Sequence, residues 1–139
     1  MNEHPVISRI KECFAAEGGS ALVPLIRGDK PFRAELSEEG VYVDNLSSQP
    51  FLPWSVFVET IELLQRMGGR ALRGNAMNHK LGSQGLPFES VEGHVAYTIY
   101  GKQACESIFR RITPIACILI WAGICYNEHG YLVLRSFTP

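Results

Sequence analysis

The chain has 139 residues, 46% hydrophobic and 19% charged, with 13 Lys/Arg against 14 Asp/Glu for a net charge of −1. That length suits one domain with a substantial core, and the composition excludes a disordered polyelectrolyte. The small net charge conceals a split. Residues 1–64 carry five basic and ten acidic side chains, giving −5, whereas residues 65–139 carry eight and four, giving +4. Such a split marks a polyanion-binding half, or two halves that attract each other or a second copy.

In chain order, Pro5 suits an opening helical turn, Ile7, Ile10 and Phe14 share one face, and Gly18-Gly19 punctuate, which predicts a helix over Pro5–Ala16. ALVPLIR at 21–27 reads as extended, with Pro24 favouring a sheet edge. In FRAELSEEGVYVDNL (32–46), Phe32, Ala34 and Leu36 alternate with charged residues and SEEG supplies a turn, so the stretch predicts a hairpin with a solvated acidic face. A helix over Ser55–Met67 follows, with Phe57, Ile61 and Leu64 on one face and Ser55, Glu59, Glu62 and Arg66 opposite, Glu62 and Arg66 at pairing distance. Gly68-Gly69 end it.

A weak internal echo links the two helix exits. GGSALVPLIRG at 18–28 and GGRALRG at 68–74 share a double glycine, Ala-Leu and a closing Arg-Gly, as a common helix-to-strand joint would. Residues 74–87, GNAMNHKLGSQGLP, have loop composition, and GSQG lacks the Gly-Lys-Ser/Thr order of a phosphate loop. Residues 89–112 admit two readings. VAYTIY alternates like a strand, whereas Ser90 can cap a helix from Val91 to Tyr100 that Gly101 ends and Gly93 weakens.

The last quarter contains TPIACILIWAGICYNEHG, in which Ile115–Cys125 are all apolar or small. Thr113 as cap, Pro114 as first residue and Gly123 as terminator predict a helix over Pro114–Ala122. At 1.5 Å per residue it covers only ~14 Å, about half a bilayer core, so it is no membrane span. The N-terminus lacks the apolar run of an export signal, and a soluble, cytoplasmic protein with reduced thiols is expected. Cys117, Cys125 and His129 lack the paired spacing of a zinc site, and no nucleophile–base pair, GxSxG or HExxH motif is present. No metal, cofactor or catalytic residue is therefore assigned. An unrecognised site around His94, Tyr97, Tyr100 and the 74–87 loop is the weakest of three functional readings.

YLVLRSF after the turn completes a hairpin over 124–136. The helix and hairpin together resemble the last helix and wing of winged-helix DNA-binding domains. The similarity is greatest to the N-terminal domain of Mrr-type restriction endonucleases, on Leu119, Ala122, Gly123, Ile124, Gly130 and Tyr131 across about 30 residues. The resemblance implies an α+β fold within a single domain 1–139: a helix-plus-hairpin half (1–52) and a winged-helix-like half (53–139). It also implies double-stranded DNA as partner. ACILIWA, however, offers no polar side chain to a major groove. Phosphate contacts are assigned instead to Arg70, Arg73, Lys80, Arg110 and Arg111, with Arg135 on the wing. The leading expectation is a small DNA-associated or regulatory protein. The alternative is a homodimer joined through Ile115, Ile118, Leu119 and Trp121, since a helix apolar on every side needs cover.

Overall fold

Pro5 needs no N–H in a first turn, and His4 Nδ1 accepts from the Val6 amide at 3.1 Å, so the chain enters α1 (Pro5–Ala15) directly. The computed structural model describes residues 3–27 and 30–135. Val6, Ile10 and Phe14 carry the buried face of α1, with Ile7 only partly covered beside them. The exit is a left-handed glycine pair: the Gly19 amide donates to the Phe14 carbonyl at 2.8 Å. The second helix, α2 (Trp54–Arg66), leaves in the same way, with the Gly69 amide 2.7 Å from the Leu64 carbonyl. The shared joint in the sequence is thus one local structure used twice.

Between the two helices lies an antiparallel meander: β1 (Ser20–Val23), β2 (Phe32–Leu36), β3 (Gly40–Val43) and β4 (Phe51–Pro53), in that spatial order. The expected hairpin is β2–β3, in which Ala34 faces Val43 and Leu36 faces Val41. Two edge strands flank it. β1 stops before Pro24, as a proline at an edge requires, and β4 is too short to announce itself by periodicity. Phe32, Ala34, Val41, Val43 and Leu52 turn inward.

After α2 come β5 (Arg70–Leu72), α3 (Val91–Thr98), α4 (Ile112–Trp121), β6 (Cys125–Glu128) and β7 (Tyr131–Leu134). The three strands form an antiparallel sheet in the order β5-β7-β6. The protein is therefore α+β, with an N-terminal helix and hairpin preceding a half of three helices and a three-stranded sheet. The β6–β7 hairpin turns on His129 and Gly130, both at positive φ, as a two-residue hairpin turn demands.

Residues 91–98 are helical, which settles the ambiguity in VEGHVAYT. The Ser90 hydroxyl accepts from the Gly93 amide at 3.0 Å. Gly93, a weak helix residue by propensity, is needed for space: a Cβ there would lie 2.1 Å from the Pro87 carbonyl oxygen. The 74–87 segment has no regular structure but is held by a small second cluster of Leu81, Leu86, Ala96 and Ile108.

One apolar core runs through both halves, from Phe14 and Val23 through Phe57 and Leu64 to Ile115, Leu119 and Leu132. α4 sits inside it. Phe14 of α1 stacks against Trp121 with ring centroids 4.9 Å apart, Arg9 Nε donates to the Ala122 carbonyl, and Leu25 and Ile26 pack on the same core. Ile115, Ile118 and Leu119 have no accessible surface, and Trp121 is half-buried. The expected dimer face is therefore corrected. The N-terminal half covers the apolar helix, leaving Ile115, Ile118 and Leu119 nothing to offer a second chain. No helix among the described residues is long and apolar enough to cross a membrane.

Candidate nucleic-acid interface

The two Arg-Gly sequences that close the two helix–strand joints bring their arginines to the same place. Arg27 follows β1 and Arg73 follows β5, and both line a cleft of about 700 Å³. A third wall is the segment entering α4, which contributes Arg110, Ile112 and Thr113. Asn75, Met77 and Gln84 come from the irregular 74–87 segment. Among the described residues no Asp or Glu lines the cleft, and none of its three arginines has an ion-pair partner. Arg110 Nη1 lies 3.2 Å from the Met77 sulfur, and Arg73 Nε is buried without a hydrogen-bond partner. Three like charges gathered in a concavity focus a positive potential there. An anion is the complement that such a surface lacks.

Behind the cleft wall is a second, closed arrangement. Glu92, on the first turn of α3, is 1% exposed, and its carboxylate accepts from the Arg111 and Ile112 amides at 3.0–3.1 Å. It thereby caps α4 from 19 residues away. This corrects the expectation that Thr113 is the cap: the helix starts at Ile112, Thr113 is already helical, and Pro114 sits in the first turn where its missing N–H costs nothing. The Arg111 and Ile112 amides are therefore engaged, and the positive charge facing the cleft comes from guanidinium groups.

Arg111 completes this junction. It is 4% exposed, its guanidinium stacks 3.6 Å over the Tyr100 ring, and Nη2 donates to Gln49 from the N-terminal half. Burial lowers its pKa from the usual arginine value, opposed by Tyr100 and Glu92. Burial also raises the Tyr100 hydroxyl. Burial dominates at Glu92 and pushes its carboxyl up to about 7, against the hydrogen bonds and arginine charges that pull it down. Arg111 is thus withdrawn from the phosphate-contact set, because a side chain with so little accessible surface cannot meet a nucleic acid.

The remaining basic candidates scatter. Arg70 is exposed on β5, 4.3 Å over the Tyr131 ring and 3.9 Å from Glu128. Lys80 is exposed on the irregular segment, outside the residues that line the cleft. Arg135 lies over Tyr126 of the wing. Of the five assigned phosphate contacts, the cleft gathers Arg73 and Arg110. It adds Arg27, which the negative charge of residues 1–64 concealed and which only the repeated Arg-Gly joint signalled.

The catalytic reading gains no converging groups. His94 Nε2 is 2.9 Å from Glu59, a residue that helical periodicity places opposite the apolar face of its helix, and the contact ties α2 to α3. Tyr97 is exposed with its ring edge-on to Phe88, and Tyr100 lies under Arg111. Burial raises the Cys117 thiol and pushes that of Cys125 up to about 12, so neither is a ready nucleophile. Glu62 and Arg66 form no ion pair.

Comparison with models of protein families, with curated proteins and with solved structures found no match to this chain.

Proposed function

We propose that the protein is a small non-enzymatic, DNA-associated or regulatory protein that grips the phosphate backbone in the Arg27–Arg73–Arg110 cleft. The observation carrying this reading is the convergence of three arginines from three separate segments on one concavity, with no carboxylate in its lining among the described residues. The helix–strand–helix–helix–hairpin order of residues 54–134 lends support, since it is the arrangement in which winged-helix domains meet DNA. The mode of contact differs from theirs in one respect. α4, the helix in the recognition position, is buried, so contacts to phosphate and not to major-groove edges hold the complex, and binding is weakly sequence-dependent.

Titration of a labelled mixed-sequence duplex at low salt, followed by fluorescence anisotropy, tests this. Binding should weaken steeply with salt, and the triple variant Arg27→Ala, Arg73→Ala, Arg110→Ala should flatten the log–log salt slope by roughly three. Absence of any salt-dependent association with duplex or single-stranded nucleic acid would sink the proposal.

A further inference from the structure

We infer that the cleft takes an unpaired nucleotide of a single strand, its phosphates on the arginines and its base on the apolar wall. The inference rests on the reading of the cleft as a phosphate-binding site and deepens it. Phosphate contact alone would use a charged ridge, whereas here the charges sit inside a hollow of about 700 Å³, within the range of small-ligand sites. Leu72 and Met77, 38% and 68% exposed, present apolar surface to that hollow beside Ile112. The amides of Asn75 and Gln84, both exposed, stand on the same lining and can donate to or accept from a base edge.

A flat apolar body with polar edges and an anionic tail matches this combination, and a nucleotide has that chemistry. The base of a duplex is stacked and paired, so its face cannot reach an apolar wall, while an unpaired base exposes both face and edge. Three arginines exceed what a single monophosphate needs, which favours a strand with flanking phosphates over a free nucleotide. Burial of α4 points the same way, because the fold withholds the element that would read a duplex through its major groove.

The experiment compares the full chain binding a short labelled oligothymidine strand, a mixed-sequence duplex of equal length, and thymidine monophosphate as competitor. Expected is about tenfold tighter binding of the single strand than of the duplex. Met77→Ala, at an exposed position of the cleft wall, should weaken the single strand by roughly threefold and the duplex by less. Equal or tighter duplex binding that Arg110→Ala still weakens would overturn the single-strand inference while leaving the phosphate reading in place. No binding of either nucleic acid would overturn both. Thymidine monophosphate that competes as strongly, mole for mole, as the oligonucleotide would overturn the strand and assign the cleft to free nucleotides.

Discussion

Arg110 and Arg111 are adjacent in the chain and lie in different environments. Arg110 opens onto a cleft shared with Arg27 and Arg73, and among the described residues it has no ion-pair partner. Arg111 is enclosed by Tyr100, Phe109, Gln49 and the carboxylate of Glu92 at the junction of the two halves. In the irregular backbone ahead of α4, Arg110 is exposed and Arg111 is buried. The first arginine is exposed, with the Met77 sulfur beside it, and stays open to a ligand. The second holds the fold and is thereby lost to any ligand. Adjacent charges in a sequence therefore do not add up to a basic patch until burial is known.

Stability measurements should separate the two most sharply. Arg111→Ala removes the stacked guanidinium, a bond to the N-terminal half and the charge nearest Glu92, and should cost about 2–4 kcal/mol. Arg110→Ala should stay within about 0.5 kcal/mol of the parent, as surface substitutions do. Urea unfolding of both variants checks this, and equal losses would erase the distinction between junction and cleft.

Next in size is a pH effect confined to the junction. The Glu92 carboxyl is raised to about 7 in the fold, above its ordinary 4.5, so the folded chain holds a proton there that the unfolded chain releases. The stabilisation this gives is complete below about pH 4.5 and is lost as pH climbs through about 7, an effect of about 3 kcal/mol. Urea midpoints should fall between about pH 5 and about pH 8, and Glu92→Gln should flatten that slope. Parallel pH profiles for the two proteins would show that Glu92 is not the group responsible.

Much of the fold is legible in the sequence because its longer elements are strongly periodic and firmly punctuated. α1, the β2–β3 hairpin, α2 and the wing each combine an apolar repeat with a glycine-bearing exit or turn. α3 is half legible: the Ser90 cap shows in the sequence beside a strand-forming composition, and the tertiary approach of the Pro87 carbonyl to Gly93, which decides for the helix, does not. The cap on α4 is invisible for a related reason, since Glu92 reaches it through the tertiary fold and no local motif encodes a partner 19 residues away. The cleft was half visible. The positive half of the chain supplies Arg73 and Arg110, but Arg27 comes from the negative half, where charge counting points away from it. The cover over α4 depends on the N-terminal half folding back, which a helix pattern taken alone cannot express.

A smaller effect belongs to the start of α3. Ser90→Ala deletes the hydroxyl that receives the Gly93 amide and donates to the Pro87 carbonyl, and should cost about 1 kcal/mol. The loss should appear in thermal unfolding. If Ser90→Ala also weakens nucleic-acid binding more than its lost stability explains, junction and cleft are coupled, because Ser90 lies next to Gly74 of the cleft wall.

The smallest effect is expected at Arg70, and it bears on what makes an arginine available. Like Arg110, Arg70 is exposed, but it lies over Tyr131 and within ion-pair distance of Glu128, and it is not part of the three-arginine cleft. An exposed pair of this kind contributes about 0–1 kcal/mol, so Arg70→Ala should barely move the unfolding midpoint. It should also leave the salt slope of nucleic-acid binding within experimental error, whereas Arg110→Ala lowers that slope by roughly one. Exposure alone would make the two variants equivalent. If Arg70→Ala reduces the slope as much as Arg110→Ala, the nucleic acid is following general surface charge, and the cleft loses its claim to be the site.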